Sequence, residues 1–301
     1  MLLTFAAFMG SLEQGMIYAI LALGVFLSFR TLNLPDLTVD GSIVTGAAAS
    51  AVICSIGGNP LLGLLLAFIC GLLAGTVTAL LNTKLKIQPL LAGILVMFGL
   101  YSINLRIMGS RPNIPLTRSD TLYKWAENSL HIEYPKLIMG VVILAIIIIL
   151  FFFFLKTRIG FALRATGDNE DMVRAYAINS DGMKVLGLAL SNGFVALAGG
   201  MLAQYQSFAD VTMGTGMVVI GLASVILGEA IFGTKSLLRR LIAVSLGAVV
   251  YRLIIAQAFK LGLPTSDLKL VSAAIITIAL AVGAFGGNFS LNSLFAKKEA
   301  K

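Results

Sequence analysis

The feature that most limits what this chain can fold into is the run "VVILAIIIILFFFFLK", Val141 to Lys156, because it is one of a series. Comparable apolar stretches recur along the sequence, separated by short polar connections. A helix needs about 20 mostly apolar residues to cross the hydrocarbon core of a bilayer. Nine runs approach that length: Leu12 to Phe29, Ser42 to Ile56, Leu61 to Leu81, Leu90 to Ile107, Leu137 to Leu155, Val185 to Gln204, Met217 to Phe232, Leu241 to Phe259 and Leu270 to Phe285. In lipid every backbone N–H and C=O must be satisfied within the chain, so such runs become helices. Composition supports this, with 58% hydrophobic and 12% charged residues, where a soluble domain has about 25% charged. The 31 glycines suit close contact between membrane helices. The expected fold is all-α, a polytopic membrane protein of about nine (eight to ten) transmembrane helices forming one domain, residues 1–301.

The net charge is +8, which in a soluble chain would suggest nucleic acid. Here the basic residues lie in connections between apolar runs, so they report membrane topology and no nucleic-acid partner is expected. Arg30, Lys84, Lys86, Lys156, Arg158, Arg164, Arg174, Lys184, Lys235, Arg239, Arg240, Lys297, Lys298 and Lys301 fall on one side. Arg111, Arg118, Lys124, Lys136, Lys260 and Lys269 fall on the other, a division of 14 against 6. The positive-inside rule then puts the N-terminus outside and the C-terminus in the cytoplasm. Residues 109–136 form an external loop and residues 157–184 a cytoplasmic one. Cys54 and Cys70 sit in apolar runs and read as small buried hydrophobes, and His131 as a solvated loop residue, so no metal site is expected. The start of the chain has neither a basic n-region nor a small-residue cleavage site, and no cleaved signal peptide is expected.

Two stretches resemble each other. "LPDLTVDGSIVTGAAAS" begins at Leu34 and "FADVTMGTGMVVIGLAS" at Phe208. Each has Asp-x-Thr, then a glycine, then an apolar run with small residues. The predicted topology sends the first outward and the second inward, as in the inverted repeats of transporters. Two helix starts built separately from capping and turn residues would look the same.

Between two of the most apolar runs lies a charged island, "GFALRATGDNEDMVRAYAINSDGMK", Gly160 to Lys184. Its centre predicts one short helix with Asp168 as N-cap and Asp171 in a capping-box position. Asp168, Glu170 and Asp171 crowd the positive end of that helix, and Arg174 follows them. Met172, Val173, Tyr176 and Ile178 are apolar or amphipathic residues offered from a polar loop, a pattern suited to a partner's groove. An ordinary solvated connection is the plainer alternative.

The island with its flank, "RIGFALRATGDNEDMVRAYAIN" and "KVLGLALSNGFVALAGGMLA", resembles the permease subunits of ATP-binding-cassette importers in the branched-chain amino acid and ribose permease superfamily. "LPDLTVDGSIV" is similar to that family's Asp-Leu-(Ser/Thr)-Val-Gly stretch, with Asp40 inserted before Gly41 and Ser42. "GMVVIGLASVILGEAIFG" is similar to its late glycine-rich helix, with Glu229 where a small residue is expected, a variant resembling the tryptophan/tyrosine permease subgroup. The resemblance implies a cytoplasmic coupling helix, with Asp168, Asn169, Met172, Val173, Arg174, Tyr176 and Ile178 at the contact with an ATPase subunit. It implies a permease homodimer in the bacterial inner membrane, two ATP-binding-cassette ATPase subunits and an external substrate-binding lipoprotein, with membrane lipid around the chain. It also implies that the chain is not itself an enzyme and binds no cofactor, ATP–Mg belonging to the partner ATPase; the sequence has no GxxxxGK[ST] loop. An amino acid is the favoured cargo, with a sugar or nucleoside as alternatives. An ion-coupled secondary transporter would account for a repeat but not for the island.

Polar residues within apolar surroundings are costly and mark candidate functional positions. Asp36, Thr38, Asp40 and Ser42 gather at one helix start, Asp210, Thr212 and Thr215 at the other, and Asn104 and Asn192 lie inside helices. Together they are the candidate lining of a translocation path. Taken singly, each reads more readily as a helix cap or a bond between helices than as part of a path. Glu229 and Arg252 are expected at depths too different to pair.

Overall fold

The computed structural model describes residues 5–129, 134–260, 270–274 and 277. It is built almost wholly of helices. α1 (Phe5–Val25) runs into a π-helical turn, Phe26–Thr31. α2 (Thr38–Ser55), α3 (Pro60–Thr83) and α4 (Pro89–Ile107) follow. A short strand β1 (Asn113–Pro115) and helix α5 (Leu122–Ser129) precede α6 (Pro135–Lys156). Two short helices, α7 (Arg158–Asp168) and α8 (Glu170–Ala175), lead to α9 (Ser180–Gln206). Strand β2 (Phe208–Asp210), α10 (Met217–Phe232) and α11 (Leu237–Lys260) come next.

Seven helices among the described residues are long and apolar enough to span a membrane. They correspond to seven of the nine sequence runs. The Met217 to Phe232 run forms α10, which at 16 residues is shorter than the rest. Most of the Leu270 to Phe285 run lies outside the described residues, as do Lys297, Lys298, Lys301 and His131; residues 270–274 are helical. Among the described residues, the one addition to an all-helical expectation is the antiparallel β1–β2 pair, in which Ile114 faces Ala209. It joins the loop after α4 to the loop after α9.

Local chemistry sets many of the helix starts. Pro60, Pro89 and Pro135 open α3, α4 and α6, where the missing N–H costs nothing and φ is already helical. The side chains of Asn59, Thr157, Asn169 and Asn179 accept N–H bonds from the first turns of α3, α7, α8 and α9.

α2 and α9 form the centre, with α3 and α1 packed against them. Of the apolar stretch of α2, 78% is buried, against 17% of α6. Outward-facing Leu65, Ile69 and Leu73 on α3 and Ile146, Leu150 and Phe153 on α6 are exposed to what would be lipid. The small residues anticipated for close packing serve at the α2–α9 crossing. A Cβ on Gly46 would fall into the backbone carbonyl of Ala196, and one on Gly199 into that of Ile43. Without lipid-driven burial to hold helices together, this backbone-to-backbone approach supplies dispersion contact along the whole crossing.

Arg30, Arg164, Lys235 and Arg240 border one cavity at the end that carries α7 and α8. At the opposite end, Gln204 ties three elements together: its amide donates to Ser50 Oγ (2.9 Å) and the Pro60 carbonyl (3.1 Å), and its oxygen accepts from the Leu122 N–H (2.8 Å).

Candidate functional site

The path candidates fall into three groups. The first is a buried polar cluster between α2, α3 and α9. Asp36, just before α2, accepts from the Thr38 N–H (2.8 Å) through one oxygen and from the Asn192 amide (2.6 Å) through the other. Asn192 in turn accepts from the Ser42 hydroxyl (2.6 Å) and donates to the Leu188 carbonyl (3.1 Å). Thr38 Oγ1 lies 2.8 Å from Thr78 Oγ1 of α3. Asp36 is 5% exposed, and Thr38, Ser42 and Asn192 are fully buried. In this conformation the cluster joins helices and is closed to solute.

The second group sits where the starts of α2 and α10 meet. α10 has no cap of its own: Gly216, at its N-cap, has no side chain. Asp40 from α2 supplies the acceptor, taking the Gly216 N–H (2.9 Å) on one oxygen and the Val218 N–H (2.8 Å) on the other. Its charge therefore lies at the positive end of the α10 dipole. Gly214 lies against the Asp40 carbonyl, where no Cβ fits. A recess of about 480 Å³ opens here, bordered by Asp40, Asn104, Thr215 and the rings of Phe98 and Tyr101. Asn104 donates to the Gly41 carbonyl (3.2 Å), while its Oδ1 is buried without a partner.

The third group, Asp210 and Thr212, lies at the end of the β1–β2 pair, with Asp210 partly buried and Thr212 exposed. Asp210 accepts from the N–H (2.8 Å) and hydroxyl (2.5 Å) of Thr212 and from Asn113 (3.3 Å). The Thr212 hydroxyl bond holds its carboxyl below the usual range; slight desolvation opposes this, and the Thr212 N–H and Asn113 reinforce it. The Asp36–Thr38 and Asp210–Thr212 stretches share the same local turn, in which the carboxylate accepts the N–H two residues on. They part afterwards: α2 starts at Thr38, whereas four residues separate Thr212 from Met217.

The island is arranged differently from its sequence forecast. One helix capped by Asp168 was expected. Asp168 instead closes α7, and Asn169 is the cap, accepting from the Met172 N–H (3.0 Å). The Asn169 N–H is still used by α7, bonded to the Ala165 carbonyl, so the break falls one residue later than the acidic cluster suggests. α8 ends at Ala175, and Ala177 adopts a left-handed conformation. Asp168, Asn169, Met172, Arg174, Tyr176 and Ile178 are exposed, Tyr176 at 74%. Val173 turns inward and is buried.

A network absent from the sequence reading fixes the island to α9. Glu170 bonds Arg174 (2.7 Å), Ser180 (3.1 Å) and Lys184 (2.6 Å), and Arg174 also bonds Ser180 (2.9 Å). Desolvation tends to raise the Glu170 carboxyl, but the Lys184 bond and charge, Ser180 and Arg174 together hold it below the usual range. The i, i+4 spacing of Glu170 and Arg174 was a usable signal; the Lys184 contact spans a helix boundary and was not. A second missed cluster is Glu229, 8% exposed, bonded to Arg30 (2.7 Å) and Arg240 (2.9 Å). Arg252 bonds Gln14, so Glu229 and Arg252 each have other partners.

With this geometry in place, the comparisons with known proteins are informative. The family described as the permease component of the branched-chain amino acid transport system matches residues 7–289. The chain is 40% identical over 286 residues to a tyrosine transport system permease protein of Clostridioides difficile, covering 95% of this chain and 94% of that protein. It is 28% identical over 275 residues to the ribose import permease protein of Escherichia coli, covering 90% and 83%. It is 27% identical over 256 residues to the fructose import permease protein of Bifidobacterium longum, covering 83% and 70%. No solved structure gives a significant match. Multiple apolar spans, a charged two-helix island and a family match over nearly the full length agree: the chain is a multi-pass bacterial inner-membrane protein that belongs to the permease-component family of ATP-binding-cassette transport systems.

Proposed function

We propose that the chain is the membrane subunit of an importer, working as a homodimer with two ATP-binding-cassette ATPase subunits and an external binding protein that delivers an amino acid of the tyrosine class. The observation that carries this reading is the α7–α8 island. It projects Met172, Tyr176 and Ile178 from the end of the bundle richest in Lys and Arg, while the Glu170 network fastens it to α9. A segment exposed to a partner and rigidly joined to a central helix can transmit a partner's closure to the bundle core. ATP–Mg would be held by the partner, and the orientation is N-terminus outside.

The path is assigned to the junction of α2 and α10. They are the two shortest of the long apolar helices, at 18 and 16 residues, or about 27 and 24 Å at 1.5 Å per residue, so against a core of about 30 Å α2 barely spans and α10 falls short. Paired short helices with facing starts support a transport site, and support reading the two Asp-x-Thr stretches as inverted copies. Asp40, Asn104 and Thr215 would line the path first, and Asp36, Thr38, Ser42 and Asn192 would join it when the bundle opens, with Asp210 and Thr212 at its outer mouth.

The test is a gentle detergent pull-down of the tagged chain with mass spectrometry of its partners, followed by ligand binding to any captured binding protein. Recovery of an ATPase and a binding protein selective for aromatic amino acids supports the proposal. A binding protein selective for ribose or fructose would overturn the cargo and keep the class. Repeated recovery of the chain without an ATPase, crosslinked samples included, would overturn the class in favour of an ion-coupled carrier.

A further inference from the structure

The cavity of about 390 Å³ beside the island is strongly cationic and short of anions. It is enclosed by the π-helical end of α1, by α7 and by the α10–α11 connection, and Arg30, Arg164, Lys235 and Arg240 border it with Asp168 as the bordering acid. Glu229 occupies Arg30 and Arg240. Arg164 and Lys235 have no acid within ion-pair distance among the described residues, and the Arg164 Nε is buried with no hydrogen-bond acceptor. Leaving a buried guanidinium N–H unpaired is costly, and a phosphate oxygen is the acceptor a guanidinium fork fits best.

The surroundings select the source of the phosphate. The cavity lies at the ends of membrane-spanning helices, where headgroups reside. Phe161 borders it and is 66% exposed, with Ile159 and Leu238 also exposed nearby on α7 and α11. A cationic pocket with an apolar rim at that depth suits an amphiphile with an anionic head.

We propose that this cavity binds the phosphodiester headgroup of an anionic membrane phospholipid, with Arg164 and Lys235 as its principal contacts. The bound headgroup would bridge α7 to the α10–α11 connection, and so steady the island against the bundle. The inference is independent of the cargo.

The experiment is native mass spectrometry of the purified, delipidated full chain, titrated with phosphatidylglycerol or phosphatidylcholine of the same acyl composition. Preferential retention of phosphatidylglycerol is expected. Each cation removed should weaken that preference about fivefold, and Arg164→Gln with Lys235→Gln together about 25-fold. Arg164→Lys with Lys235→Arg should retain most of it. Lys235→Gln alone, at an exposed position, keeps the test valid if the double variant does not fold. Equal retention of the two lipids, or an unchanged preference in Lys235→Gln and the double variant, would overturn the proposal. So would displacement of the lipid by millimolar inorganic phosphate alone, which would point to a soluble phosphate-bearing ligand.

Discussion

Replacing Asn192 with Asp tests the buried cluster at its most sensitive point. In the native chain the Asn192 amide donates to Asp36 at 2.6 Å and its oxygen accepts from Ser42. Asn192→Asp keeps size and shape but sets two carboxyl groups against each other, and both cannot remain ionised at that separation. The variant must either hold two like charges together or take up a proton to restore an O–H bond between them, a penalty comparable to a buried hydrogen bond to a carboxylate, about 1.5–3 kcal/mol. Hydrogen bonds between membrane helices average only about 0.6 kcal/mol, because the unfolded chain finds other partners in the bilayer. Asp36 is 5% exposed and has one other backbone donor, so the upper range applies. At about 2–4 °C per kcal/mol, the melting temperature should fall by about 5–10 °C. The chain carries its own reporters for this melt. Cys54 is 1% exposed and Cys70 is partly buried, so a thiol-reactive dye in detergent reports unfolding. The decisive control is the exchange Asp36→Asn with Asn192→Asp. Asn at 36 can donate to Asp at 192 and still accept from the Thr38 N–H, while Ser42 keeps its acceptor. Only the bond to Leu188 is lost, so most of the stability should return. An exchange no more stable than Asn192→Asp alone would refute the reasoning, as would a single variant that melts with the wild type.

Gly46→Val should abolish the tight α2–α9 crossing, because its Cβ would enter the Ala196 carbonyl; overpacking costs about 1–3 kcal/mol, and a monodisperse, native-melting variant on size exclusion would contradict it. Met172→Ser with Tyr176→Ser removes exposed apolar surface and leaves the Glu170 network intact, so recovery of a partner ATPase should fall without a change in melting temperature. Undiminished recovery would remove these side chains from the contact. Because the Glu170 carboxyl is held below its ordinary value, its contribution to docking α8 is fully present above about pH 4.3 and is lost only as the pH falls through the lowered value. Hydrogen exchange in residues 170–176 should therefore be flat from pH 7 to 5 after correction for intrinsic rates, and a rise within that window would show that Glu170 does not hold the island.

The membrane-spanning nature of the chain and the place of its charged island were legible in the sequence because both depend on local composition. An apolar run of sufficient length has no stable alternative to a helix in lipid, whatever its neighbours do. The same holds for the starts at Pro60, Pro89 and Pro135. The island's helix break was misplaced by one residue because Asp168 and Asn169 are both good caps, and the choice between them turned on which N–H α7 still used.

What only the tertiary structure decided is which polar groups meet. Asp36 and Asn192 are 156 residues apart, Asp40 and Gly216 are 176 apart, and Arg30 and Glu229 are 199 apart. Their sequence signal is limited to the cost of a polar residue in oil, which says that a partner must exist without naming it. The names come from the helix crossings, and those are set by where glycine lets two backbones touch. Sequence therefore determined the apolar runs and the place of the charged island, while packing determined that the start of α10 is capped by a carboxylate from α2.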